Sequence, residues 1–363
     1  MVTAKKKFKF DPDYAIPPGA TLRDFMESMR MTEKDIASRI GITVQSLIRI
    51  FQGKQPITYD TANKLELVTS IPASLWNNLE VQFRAQLAKI KNDEKIKTGL
   101  EWVKTIPVKE LIERKVLEPQ DNKVELLRAM LKFFRVSSVD AWKELWTSPL
   151  VATKRSKCFE TKPGPAATWI RLGEIAAEEI ESKPYNRKKF IQALSEIRTL
   201  TIKDPKVFLP EMVSLCAYAG VALAIIPEMK KVPWSGATKW LTADKAMIII
   251  NIRGKTEDKF WFSFFHEAGH VLHDKKKFMY INDDSHEDPI EKKADEFAAN
   301  SLIPRMWDRK ISSLVSHEDV EALANSLSIS PGIVVGRFQH LTGKWNFFYR
   351  LKRKFKWVED KRE

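Results

Sequence analysis

The stretch FWFSFFHEAGHVLH, residues 260–273, decides how the chain is read. Its apolar residues recur at helical spacing, and within it His266-Glu267-Ala268-Gly269-His270 sets two imidazoles four positions apart. On an α-helix that spacing is about 40° of rotation and about 6 Å of rise, so both rings leave one face and can share a metal ion. Glu267 stands beside them, where its carboxylate can hold and deprotonate a metal-activated water, the general-base role in peptide hydrolysis. The flanking Phe260, Trp261, Phe262, Phe264, Phe265, Val271 and Leu272 mark a core helix. They argue against a solvated face that merely carries two His and a Glu.

A catalytic zinc site needs a third protein ligand. The local spacing H-E-x-x-H-x-x-G-x-x-H is absent, because position 276 is Lys276. His273 lies seven residues from His266, about 10 Å along a helix, which is too far for one tetrahedral ion. Downstream, Glu291-Lys292-Lys293-Ala294-Asp295 sets two carboxylates on one helix face. Glu291 can complete the ligand set, and Asp295 can accept the second ring N–H of a ligating His, most directly His266. Glu296 and His286 are rival third ligands, and an amphipathic helix exposing its charges is the plain alternative for the same spacing.

Around this helix the texture is mixed. Residues 221–226 (VALAII) and 246–252 (AMIIINI) are short β-branched runs that read as buried strands, residues 240–242 offer a third, and residues 289–303 a second helix. A small sheet backed by helices follows from that order. The fold class expected is mainly α with a small α+β domain. Five regions are distinguished: a basic arm at 1–20, a compact helical domain at 21–91, a helical connector at 92–165, the candidate metal domain at 166–310, and a helical segment with a basic tail at 311–363.

Composition narrows the chemistry. The chain has 363 residues with 61 Lys+Arg against 47 Asp+Glu, a net charge of +14, and is 44% hydrophobic. That composition can build real cores and excludes disorder throughout. Two cysteines, Cys158 and Cys216, can form neither a disulfide framework nor a four-thiolate site. A reducing compartment is expected, and any metal must use His or carboxylate. No apolar run spans a bilayer and nothing marks the chain for export, so the expected location is cytoplasmic, with no membrane partner.

The region 21–91 carries its own motif. Residues 32–40 (TEKDIASRI), then Gly41 and Ile42, then residues 43–51 (TVQSLIRIF) have helix-turn-helix spacing. Thr32 and Asp35 make a capping-box-like start, Ala37 is small where two helices cross, Gly41 permits the turn, and Thr43 caps the second helix. Thr43, Gln45, Ser46, Arg49 and Lys54 are the candidate DNA-binding residues, with Val44 and Gln52 also facing outward. A three-helix core unit with no DNA partner is the plain alternative for the same spacing.

Two resemblances add to this reading. The run from His266 to His273, followed by Glu291-x-x-Ala294-Asp295-x-Phe297-Ala298-Ala299 and Leu302-Ile303-Pro304, resembles the ImmA/IrrE-type zinc metallopeptidases of gluzincin-like layout. Residues 329–337 (ISPGIVVGR) extend the likeness. It implies Zn2+ as cofactor, endopeptidase activity and, as substrate, a DNA-binding repressor. It also implies that residues 236–242 form an edge strand that pairs with substrate backbone. Pro17-Pro18-Gly19-x-Thr21-Leu22, the helix-turn-helix, and Gly53-Lys54-Gln55-Pro56-Ile57-Thr58 onward to Leu79 resemble the DNA-binding domain of HigA-type antitoxins. That likeness implies a homodimer on a double-stranded operator and a toxin partner. The combined expectation is a DNA-binding transcription regulator whose zinc peptidase domain cleaves a repressor- or antitoxin-type protein, or itself. The competing readings are an antitoxin-like transcription factor whose metal domain is sensory or structural, and a protease whose N-terminal domain binds protein.

Overall fold

The computed structural model describes residues 14–147, 162–273, 280–282 and 289–358. The chain divides into two compact units, Met1–Glu101 and Trp102–Glu363. Lys5, Lys6, Lys7 and Lys9 of the basic arm, Cys158, His286 and the last residues of the tail lie outside the described residues.

The first unit is all helical: α1 (Gly19–Ser28), α2 (Glu33–Ile40), α3 (Val44–Phe51), α4 (Tyr59–Thr69) and the long α5 (Ala73–Val103), whose last two residues belong to the second unit. The capping box is present: Thr32 Oγ1 accepts from Asp35 N at 3.2 Å and the Asp35 carboxylate accepts from Thr32 N at 3.0 Å. Gly41 ends α2 at φ +75°, a left-handed conformation that suits glycine. Thr43 then caps α3 by accepting from Ser46 N at 3.1 Å. Leu22, Ile36, Ile40, Leu47, Ile50, Leu65 and Trp76 close one buried core. The buried Glu80 ties α5 to the loop after α3, accepting from Ile57 N at 3.1 Å and from Arg84 Nε at 2.6 Å.

The second unit begins with α6 (Val108–Glu113), α7 (Lys123–Phe134) and α8 (Val139–Thr147). Trp102, Phe134, Trp142 and Trp146 bury against one another with ring centroids 5.4–6.2 Å apart. Arg114 donates to the carbonyls of Pro227 and Glu228, and Arg171 donates to that of Phe133. Residues 102–147, within the region read as a connector, are thus built into the second unit. Next come α9 (Pro163–Glu179), α10 (Arg187–Thr199) and α11 (Pro205–Tyr218).

Four strands follow: β1 (Val221–Ile225), β2 (Gly236–Thr242), β3 (Lys245–Ile250) and β4 (Tyr280–Asn282). Their order is β1-β3-β2-β4, with β1 parallel to β3 and β2 antiparallel to both β3 and β4. β1 and β3 are near-continuous apolar runs because helices cover both faces. Leu223, Ile248 and Ile250 join the core containing Phe260, Trp261 and Phe264 of α12 (Glu257–His273). Ile249 turns the other way, where a Cβ on Gly173 of α9 would meet its side chain at 2.1 Å.

The expected edge strand is corrected here. Gly236, Ala237 and Thr238 of β2 pair with Asn282, Ile281 and Tyr280, so β4 holds the outer position and β2 is internal over that stretch. A distant three-residue strand supplies the pairing, which local sequence does not announce.

The chain continues through α13 (Pro289–Leu302), α14 (Asp308–Ser312), α15 (His317–Ser326) and α16 (Pro331–Thr342). The C-terminal stretch clips onto the start of α12. Fully buried Glu257 accepts from Ser330 Oγ and Arg353 Nε, each at 2.6 Å, and from Arg353 N at 3.0 Å. Thr256 bridges Lys354 in the same register. Among the described residues no helix is long and apolar enough to cross a membrane.

Candidate metal centre

Helix α12 is buried through most of its length, so the polar groups it carries inward require partners. His266 is 2% exposed, and Glu267 and His270 are 0% exposed. Small residues at Ala268 and Gly269 let α13 approach, and Ala294 and Ala298 answer them from the other side. A Cβ on Gly269 would stand only 3.3 Å from Ala294 Cα. That approach delivers Glu291, in the first turn of α13, to the imidazoles.

Glu291 Oε2 lies 3.0 Å from His266 Nε2 and 3.5 Å from His270 Nε2, and the two Nε2 atoms are 3.1 Å apart. One ligand atom from each of the three residues falls within 4.8 Å of the others. Asp295 Oδ1 sits 2.8 Å from His266 Nδ1. With Nδ1–H given to Asp295, neutral His266 turns a bare lone pair towards a carboxylate oxygen and a second ring nitrogen. Once the ring protons that face this point are given up, all three groups are acceptors, and two imidazoles and one carboxylate are a donor set suited to zinc.

The electrostatics tell the same story. Burial opposes a charge on His266, but the hydrogen bonds to Asp295 and Glu291 outweigh it and push the imidazole up to about 10. Burial likewise works to raise Glu291, yet the hydrogen bonds and charges of His266 and His270 bring it down to about 2. A proton on this cluster holds the position that a metal would take.

Glu267 faces the sheet. Thr238 Oγ1, on β2, lies 2.7 Å from its Oε2, while Oε1 is buried with no hydrogen-bond partner among the described residues. Gly236 leaves room for that oxygen, since a Cβ there would come within 2.5 Å of it. Burial raises the carboxyl to about 7, against the lowering effect of both imidazoles and Thr238. Thr238 and Gly236 were not singled out from sequence; the only local signal is a Gly-x-Thr in a short strand.

The remaining polar and titratable groups of interest in this unit fall elsewhere. Glu296 pairs with Arg305 at 3.1 Å on the surface. His273 packs edge-on to Phe297 at 5.3 Å. His340 is exposed on a cleft of about 780 Å³ that runs past His266, Glu291 and Asp295. Tyr349 lies under Lys354 Nζ, 5.3 Å from the ring centroid. Cys216 is buried and free, and burial pushes its thiol up.

In the first unit, Thr43, Gln45, Arg49 and Lys54 are exposed and Ser46 is half-buried. The hydroxyls of Thr43 and Ser46 bond each other at 3.0 Å. Free polar heads on this face therefore come from Gln45, Arg49 and Lys54, interleaved with Val44 and Ile48, each 37% exposed.

Residues 22–76 match the family model described as helix-turn-helix, and residues 228–338 match that of the IrrE N-terminal-like domain, a peptidase family. No curated protein matches the chain. The chain thus joins an XRE-type helix-turn-helix domain to an IrrE N-terminal-like domain of that peptidase family in one polypeptide.

Proposed function

We propose that the protein is a DNA-binding regulator carrying a zinc-dependent endopeptidase, with a DNA-binding repressor-type protein as substrate. The single observation that carries this reading is the convergence of His266, His270 and Glu291 within 4.8 Å beside the buried carboxylate of Glu267. In it, His266, His270 and Glu291 hold Zn2+ and Asp295 fixes the tautomer of His266. Bound zinc supplies Lewis-acid polarisation of a carbonyl and makes water a stronger acid.

The protein's own part is proton transfer. Glu267, near neutrality in its pKa, takes a proton from the attacking water as the C–O bond forms. It returns that proton to the amide nitrogen as the C–N bond breaks. Thr238 orients the carboxylate from one side, and its second oxygen, beside Gly236, has no hydrogen-bond partner among the described residues. In the N-terminal unit, Gln45, Arg49 and Lys54 on the α3 side are the DNA contacts, with Thr43 and Ser46 setting the start of that helix.

Metal content and cleavage together test the reading. Purified protein should hold one zinc per chain, His270→Ala and Glu291→Ala should lose it, and Glu267→Gln should keep it while failing to cut. A chain that binds zinc yet cuts nothing encoded beside it would return the domain to a sensory or structural role.

A further inference from the structure

The cleft beside the metal centre carries an unbalanced charge. Its carboxylates are each matched: Asp258 by Lys352 at 2.6 Å, Glu296 by Arg305 at 3.1 Å, and Glu291 and Asp295 by His266. Arg337 is matched as well, by Asp308 at 2.8 Å. Arg253, Lys255 and Lys259 line the same cleft, are exposed, and have no carboxylate partner among the described residues.

This lip is built, not loose. Asn251 accepts from Arg253 N at 2.9 Å and donates to Trp234 O at 2.8 Å. The Arg253 guanidinium donates to Val232 O at 2.6 Å, and Phe355 N donates to Lys255 O at 2.8 Å. The stem of Lys259 lies against Gly254, where a Cβ would come within 2.4 Å of its Cδ. Backbone groups thus fix the loop while the lysine ammoniums stay free.

Lys259 precedes His266 by seven residues on α12, so it shares that face about 10 Å along the axis. An extended peptide covers that distance in about three residues. We propose that Arg253, Lys255 and Lys259 form a subsite for an acidic side chain of the substrate, about three residues from the bond cut. This rests on the peptidase reading of the metal centre. A short peptide is favoured over a polynucleotide because the cations sit together at a concave cleft that also presents Phe262, Ile333 and Trp345. Nucleic acids instead track extended stripes of positive charge.

The test is direct binding to the zinc-loaded full chain carrying Glu267→Gln, which keeps peptides intact. Two labelled twelve-residue peptides are compared, one rich in Glu and one with Lys at the same positions. The acidic peptide should bind about tenfold more tightly, with the preference falling as salt rises. Lys255→Glu with Lys259→Glu should abolish or invert it, while Lys188→Glu with Lys206→Glu, on exposed α10 and α11 positions, should leave it intact. Equal binding of the two peptides overturns the proposal, as does an equal loss with the control pair. So does a single-stranded oligonucleotide that binds more tightly than the acidic peptide and loses more affinity when Lys255 and Lys259 are reversed. Cleavage is read separately with Glu267 intact: peptides that bind selectively but are never cut count against the peptidase reading, and random cutting with no acidic preference counts against the subsite alone.

Discussion

Thr238 Oγ1 lies 2.7 Å from Glu267 Oε2, joining β2 to the fully buried carboxylate proposed as the base. A hydrogen bond to the ionised form favours that form, so Thr238 holds the Glu267 pKa below the level burial alone would set. Thr238→Val should raise it. The acid limb of the pH–rate profile should then move to higher pH, with hydrolysis at pH 7 falling several-fold and zinc content unchanged. An unmoved acid limb would remove Thr238 from the mechanism.

Gly236→Ala places a methyl group within 2.5 Å of Glu267 Oε1, closer than non-bonded atoms sit. The carboxylate must shift, and misplacement on this scale costs about a hundredfold in rate. Zinc stoichiometry and thermal stability should change little, which separates a displaced base from a broken fold.

Zinc uptake should expel a proton. His266 is held at about 10 without metal, so at pH 7 it carries a proton that a ligating nitrogen cannot keep. Binding should release about one proton per zinc, and affinity should rise with pH up to about 10, not fall. Calorimetry in buffers of different ionisation enthalpy counts that proton.

Asp295→Ala removes the partner 2.8 Å from His266 Nδ1. Loss of such a partner weakens metal binding by about 10–100-fold. It also lowers the His266 pKa, so the pH above which zinc binding no longer releases that proton should move down from that of the unaltered chain. Chelator competition measures the first effect and the same calorimetry the second.

Arg353→Met leaves Glu257, at 0% exposure, without its cation. Removing one partner of a buried pair costs about 3–5 kcal/mol, with the lower end favoured because Arg353 is partly exposed. Denaturant unfolding should show that loss, and Glu257→Gln combined with Arg353→Met should recover part of it.

The features legible in sequence are those encoded locally. Thr32, Asp35 and Gly41 specify a start and a stop within ten residues, and the four-residue spacing of His266 and His270 is a property of one helix. Glu291 and Asp295 are readable for the same reason, by their spacing on the next helix. Thr238 and Gly236 are not, because their meeting with Glu267 depends on a strand placed about 30 residues upstream by non-local pairing. β4 escapes notice likewise: three residues carry no periodicity, yet they cover β2 and displace it from the edge. Residues 102–147 look like a connector because their tryptophans carry no chemistry, but Arg114 on the carbonyls of Pro227 and Glu228, Arg171 on that of Phe133, and Lys239 over the Trp146 ring tie them into the second unit.

The central claim is that Glu267 acts as a base beside a zinc ion held by His266, His270 and Glu291. Its most direct measurement is mass spectrometry of a DNA-binding repressor encoded next to the protein, incubated with the intact chain or Glu267→Gln, each shown to carry one zinc. The account predicts defined fragments from the intact chain and none from the variant. Fragments from both, or from neither with every neighbouring repressor, would contradict it.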